Sequence, residues 1–312
     1  MWSVVHTLWN PSPSAARATS STNSRSPAGP TDGSEMPMSM LDTLRRGRKP
    51  VTEIRNGDVT LHVEVDGGGE PVTVFAHGLT NSCRELAPLT PLLPGTKVRF
   101  DFRGHGYSSA PATGFSFTDM AGDLEKVAGA YDTTRAVGTS MGAGAICNLL
   151  CERPDRFERI VLLLPAGLDS PFRHPERFLR YADALEELPK DEAIERILDD
   201  PDRVEPYLRA PWLRDVDRSM WQELTDPAGL GRAIRGIVTD FPVRDRELLR
   251  RVTAPVLLIA REGDVIHPAA LARTLAELLP NADLVVLRNE VDMLESMPAL
   301  VMRTVQFLGP GP

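Results

Sequence analysis

The sequence predicts an α/β protein with a mostly parallel central sheet and one inserted helical block. Three observations carry this. Short β-branched and apolar runs alternate with helical stretches from about residue 46 onward, as in chains of βαβ units. The run Val72–Ala76 is nearly continuous in apolar character, which suits a strand covered on both faces. Between Asp169 and about Pro242 the strand signal disappears and amphipathic helical patterns replace it.

The strand candidates follow in order: Val59–Val65, Val72–Ala76, Lys97–Asp101, Thr134–Val137, Arg159–Leu164, Val256–Ala260 and Leu284–Leu287. Asp66-Gly67-Gly68-Gly69 between the first two predicts a hairpin-type turn, so the sheet is expected to begin antiparallel and then become parallel. Ala143–Leu150 predicts an apolar helix, and Arg177–Leu188 and Lys190–Leu198 predict amphipathic ones, interrupted by Pro189, Pro201, Pro206 and Pro211. The resulting organisation is a leader over 1–45, a first core part over 46–168, a helical lid over 169–242 and a second core part over 243–312. No internal repeat is present.

Residues 11–39 are rich in Ser, Thr, Ala and Pro with almost no large aliphatic side chains, so this stretch is expected to be disordered. Arg17 and Arg25 in that acid-poor stretch resemble an organelle transit peptide, whereas Met36, Met38 and Met40 offer later starts; an upstream mis-assigned start is the favoured reading. The opening MWSVVHTLWN lacks a basic start and an apolar middle, and no apolar run reaches the roughly 20 residues of a membrane span.

The 312 residues are 42% hydrophobic and 25% charged, a globular composition, with a net charge of −8. No basic block is long enough to follow a phosphate backbone, which argues against a nucleic-acid partner. Cys83, Cys147 and Cys151 have no metal-ligand spacing and suit a reduced, cytoplasmic setting. A small-molecule substrate is expected, with no metal and no organic cofactor.

Chemistry is concentrated first at Gly138-Thr139-Ser140-Met141-Gly142, between a short strand and an apolar helix. A serine on a sharp strand-to-helix turn needs glycine on both sides, because the backbone is strained and closely approached. The helix N-terminus behind it favours developing negative charge. Two further motifs lie upstream: Phe75-Ala76-His77-Gly78-Leu79 at the end of a strand, and Asp101-Phe102-Arg103-Gly104-His105-Gly106-Tyr107-Ser108 after the next.

In this order the three motifs make the chain resemble the α/β-hydrolase superfamily, from about Val51 to Leu308. The resemblance implies an α/β-hydrolase fold with Ser140 as nucleophile and an oxyanion hole built on the loop His77-Gly78-Leu79, its donors the amides of Leu79 and Met141. Two such fixed donors are each worth about 3 kcal/mol in the barrier. The Asp101–Ser108 turn is structural in that family. Glu262-Gly263-Asp264 behind the strand Pro255–Arg261 is similar to the turn that carries the family's acid, so Asp264 is expected to orient the base.

The family pattern then stops matching. The last strand should lead to a Gly-His pair, but Arg288-Asn289-Glu290-Val291-Asp292-Met293 stands there, and no histidine follows His267. His267, three residues beyond Asp264, is a substitute base approaching from an unusual direction, or else a loop histidine lining the pocket. His77 could touch substrate or hold the loop by a hydrogen bond. Asp292 sits nearest to the vacated slot, or is a solvated loop acid beside the final helix; its reference pKa lies about 2.6 units below histidine, roughly 3.5 kcal/mol, making it a poor base for serine. Paired with Asp264 in a desolvated pocket, it could instead hold a proton near neutrality.

Four function classes follow: hydrolysis of a small ester, thioester or lactone through Ser140; a non-hydrolytic lyase or cyclase step using an Asp264/Asp292 pair; a catalytically silent ligand binder; and a dinucleotide-binding reading of Gly138-x-x-x-Gly142-x-Gly144. The last lacks a tyrosine with a lysine four residues on. The aromatic side chains Phe172, Phe178, Tyr181, Tyr207, Trp212, Trp221 and Phe241 either suit an apolar substrate or pack the lid. Arg173, Arg177 and Arg180 are expected on a solvated face balanced by Glu186, Glu187 and Glu195.

Overall fold

The computed structural model describes residues 51–209 and 211–309. The expected disordered leader therefore lies outside the described residues.

Eight strands form one sheet: β1 (Val51–Asn56), β2 (Val59–Gly67), β3 (Val72–Ala76), β4 (Thr96–Phe100), β5 (Arg135–Thr139), β6 (Arg159–Leu163), β7 (Val256–Arg261) and β8 (Ala282–Leu287). Their order is β1-β2-β4-β3-β5-β6-β7-β8. β1 pairs with β2 and β2 with β4 antiparallel, and every later pairing is parallel. The helices are α1 (Phe117–Ala130), α2 (Met141–Glu152), α3 (Glu176–Glu187), α4 (Lys190–Leu198), α5 (Pro201–Arg209), α6 (Trp212–Gln222), α7 (Pro227–Thr239), α8 (Ala269–Leu278) and α9 (Glu290–Leu308). Among the described residues, no helix is long and apolar enough to cross a membrane.

Strand periodicity builds the two faces of the sheet. Val74, Ala136, Ile160 and Leu258 join one buried cluster with Leu124 of α1 and Ile146 of α2. Their neighbours Phe75, Val137, Val161 and Leu257 point the other way, into a cluster with Leu300 and Leu308 of α9. Strands buried on both faces read as apolar runs, which is why β3 and β5 to β7 are legible in the sequence.

Two expectations are corrected. Asp66–Gly69 is not a hairpin turn, because β4 lies between β2 and β3; that segment carries the chain past one strand position. The true hairpin joins β1 and β2 at Gly57, whose φ is +63°. β1 went unrecognised because it is an edge strand with mostly exposed side chains, giving no apolar alternation.

Five helices, α3 to α7, are inserted between β6 and β7. Phe172, Phe178, Tyr181 and Trp221 meet edge-to-face in succession, with ring centroids 6.0–6.5 Å apart. All four are buried and, together with Tyr207, belong to the same core cluster as the sheet. These aromatics hold the insertion together. Among the charged groups of the insertion, Arg180 pairs with Asp200, Glu186 with Arg235, and Glu195 with Arg214 and Arg218.

Candidate active site

Ser140 sits between β5 and α2 with φ of +50° and ψ of −108°, a conformation that side chains other than glycine rarely adopt. The flanking glycines are required by contact. A Cβ on Gly142 would lie 2.1 Å from the Ala76 carbonyl oxygen, and one on Gly138 would lie 2.6 Å from Ile146 Cδ1. The start of α2 therefore presses against the end of β3, which brings the loop after β3 beside Ser140. Ser140 is 8% exposed, its amide donating to the Leu163 carbonyl.

His267 approaches from the loop after β7. Its Nε2 lies 3.0 Å from Ser140 Oγ, and its Nδ1 lies 3.2 Å from Asp264 Oδ2. The loop is tied locally: the amides of Ile266 and His267 both donate to Asp264 Oδ1 at 3.0 Å. Arg261, at the end of β7, donates to Asp264 Oδ2 at 2.6 Å. One carboxylate thus accepts from two amides, a guanidinium and an imidazole, using all of its lone-pair directions.

The electrostatics follow from this geometry. Burial alone would raise the Asp264 pKa, but the hydrogen bond and charge of His267, with the Arg261 cation behind, hold it well below the usual carboxylate range. Burial pushes the His267 pKa below its ordinary 6.5; Asp264 opposes this, and Arg261 adds to it. His267 therefore stays neutral at pH 7, able to accept a proton from Ser140 Oγ, while Asp264 faces the nitrogen that would carry the charge.

The loop after β3 is held from beneath. The Phe102 amide donates to His77 Nε2 at 3.0 Å, so the ring proton resides on Nδ1, which donates to the Gly78 carbonyl at 2.8 Å. Both ring nitrogens of the buried His77 are thus committed to backbone, and burial holds its pKa well below 6.5. Leu79 and Met141 are buried, and as the first residue of α2, Met141 has an amide without an intrahelical partner.

Two contributors were missed in the sequence. Arg261 is one. The other is Glu85, 2% exposed, whose Oε2 accepts the Gly78 amide at 2.6 Å and whose Oε1 accepts Asn81 Nδ2 at 3.0 Å. Burial, offset in part by the Gly78 amide, pushes its pKa up to about 7. A signal existed: Glu85 is the single acid between Pro71 and Phe100.

Asp292 lies on α9. β8 ends at Leu287 and α9 begins at Glu290, so Asp292 falls in the first turn of that helix; its side chain lies outside those described. The Asp101–Ser108 turn is held by contacts within itself and to neighbouring segments. Asp101 accepts the amides of Cys83 and Tyr107, Ser108 Oγ donates to the Asp101 carbonyl, and Arg103 forks onto Asp123. His105 is buried there, its pKa pushed down by burial to about 4.

His62, Glu64 and Cys83 bring ligand-type atoms within 4.8 Å of one another. Arg99 donates to Glu64 at 2.7 Å and to Asp66 at 2.8 Å, placing a guanidinium beside that cluster. A cleft opens between the β3 loop and the insertion, walled by Thr80, Asn81, Arg84, Tyr107, Trp221 and Glu223. Arg84 and Glu223 form an ion pair across it.

The model of the alpha/beta hydrolase family matches residues 73–302. The chain is 29% identical over 251 residues to 2-(acetamidomethylene)succinate hydrolase of Mesorhizobium japonicum, an alignment covering 74% of this chain and 84% of that protein. Among solved structures, the enol-lactonase of Burkholderia xenovorans superposes with a TM-score of 0.67 at 24% identity, covering 83% of this chain and 99% of that one. A thermophilic esterase of Thermogutta terrifontis does so with a TM-score of 0.65 at 21% identity, covering 83% and 98%. At these identities the structural likeness speaks for the fold.

Proposed function

The chain belongs to the alpha/beta hydrolase family and is an enzyme, and on that premise we propose that it hydrolyses a small carboxylic ester, thioester or lactone through an acyl-Ser140 intermediate, with His267 as base and Asp264 as its orienting acid. The observation that carries this reading is the 3.0 Å approach of His267 Nε2 to Ser140 Oγ with Asp264 at the opposite ring nitrogen. It supplies the proton acceptor that the C-terminal sequence lacks.

In the first half-reaction Ser140 Oγ attacks the acyl carbon while its proton passes to His267 Nε2. The carbonyl π pair moves onto oxygen, and the Leu79 and Met141 amides receive the oxyanion. Collapse expels the alcohol, thiol or lactone-ring oxygen, which takes the proton from His267. Water then repeats the sequence on the acyl-enzyme, returning a carboxylic acid and free Ser140. The imidazolium formed in each half is stabilised by Asp264.

The test is labelling with a fluorophosphonate, read by intact mass and peptide mapping. Adduct formation on Ser140, lost in Ser140→Ala and in His267→Gln, is expected. Labelling that persists in His267→Gln and disappears in Asp292→Asn would overturn the assignment of the base.

A further inference from the structure

We infer that Glu85 is a positioning residue of the oxyanion hole, acting through the peptide of Gly78; this rests on the acyl-serine reading of the site. Three successive groups on the β3 loop are clamped. The Gly78 amide donates to Glu85 Oε2 at 2.6 Å. The Gly78 carbonyl accepts from the Asn81 amide at 3.2 Å and from His77 Nδ1 at 2.8 Å. Asn81 in turn donates its side chain to Glu85 Oε1 at 3.0 Å. Thr80 takes a φ of +67° within the turn so formed.

The consequence is directional. A trans peptide sets its C=O and N–H antiparallel. Holding the Gly78 carbonyl toward His77 and Asn81 therefore turns the Leu79 N–H the opposite way, and holding the Gly78 amide on Glu85 fixes the rotation at the preceding α-carbon. A Cβ placed on Gly78 would lie in van der Waals contact with both Glu85 Oε2, at 3.4 Å, and Ser140 Cβ, at 3.5 Å, so the carboxyl and the nucleophile both flank this one residue of the loop. Glu85 does not touch the reacting atoms. It sets the aim of a group that does.

The measurement compares wild type, Glu85→Met, Glu85→Gln and Asn81→Ala at pH 8, by the rate of fluorophosphonate labelling and by turnover of p-nitrophenyl acetate, with thermal denaturation in parallel. Methionine fills the same length without accepting the Gly78 amide. Labelling and kcat are expected to fall about 10- to 100-fold in Glu85→Met with KM within about twofold, below the full loss of 10²–10³ for removing a hole donor. Glutamine keeps an acceptor for the Gly78 amide and is expected to restore the rate to within about fivefold. Asn81→Ala, which retains the carboxyl but removes its second donor, is expected to slow labelling a few-fold even if Glu85→Met does not fold. Failure of the wild type to label overturns the acyl-serine reading and this inference with it. A wild type that labels, with Asn81→Ala and a folded Glu85→Met equally fast, overturns this inference alone.

Discussion

Asp264 and His267 stand three residues apart on one loop, and their side chains meet at 3.2 Å while the His267 amide bonds the same carboxylate. The proposed acid and base thus stand on a single turn after β7.

Each group of the proposed relay should be indispensable in a different degree. Ser140→Ala and His267→Gln are expected to lower kcat by about 10⁴-fold or more, and Asp264→Asn by somewhat less, because the base remains in reach. Steady-state kinetics on an activated ester decide this. A His267→Gln enzyme as fast as wild type would remove His267 from the reaction.

The pH profile should carry the mark of burial. His267 must be neutral to accept a proton, and its pKa is depressed, so kcat/KM is expected to hold as pH falls past 6.5 and to decline only below it. Arg261→Gln removes a cation 2.6 Å from Asp264 that also depresses the His267 pKa and should move that limb upward. An unmoved limb would show that Arg261 does not tune the base.

Stability should respond to pH through groups outside the relay. His105 has its pKa lowered from 6.5 to about 4 by burial, so the unfolded chain binds protons that the folded one refuses. Stability is then lost as pH falls from 6.5 toward 4, by roughly 3 kcal/mol for this residue. Glu85, raised from 4.5 to about 7, acts in the opposite sense and loses stability as pH rises through that range. In urea titrations Glu85→Gln should therefore show a steeper gain in stability between pH 5 and 7 than wild type; equal slopes would contradict the buried acid.

Two packing predictions test the scaffold. Gly142→Ala would drive a methyl into the Ala76 carbonyl and is expected to cost about 3 kcal/mol or more. Asp123→Ala removes the carboxylate that Arg103 grips at 2.7 Å and leaves it only the more distant Asp119 at 3.4 Å, and is expected to cost about 2–3 kcal/mol. Denaturant midpoints measure both, and a change under 1 kcal/mol in either would refute the packing described.

The sheet and the elbow were legible in the chain because they rest on local rules. Apolar runs mark strands buried on both faces, and the glycines around Ser140 mark a backbone approached too closely for a Cβ. β1 and the β2-to-β3 crossing were not, since an exposed edge strand carries no periodicity and strand order is a long-range property. The proposed base was only half legible. His267 stands near Asp264 in sequence, but that its Nε2 reaches Ser140, 127 positions away, depends on how β5 and β7 flank β6. Glu85 escaped because its value lies in one peptide it holds, not in a motif.

The sharing of Asp264 by two backbone amides, Arg261 and His267 makes the stretch from Arg261 to His267 an indivisible cassette. A one-residue insertion between Asp264 and His267 would part both of their contacts at once, whereas the cassette meets β8 through backbone, with the Glu262 amide donating to the Leu287 carbonyl at 2.8 Å. A graft of these seven residues, rather than a transplant of two distant loops, is the unit by which this arrangement could be moved to another scaffold.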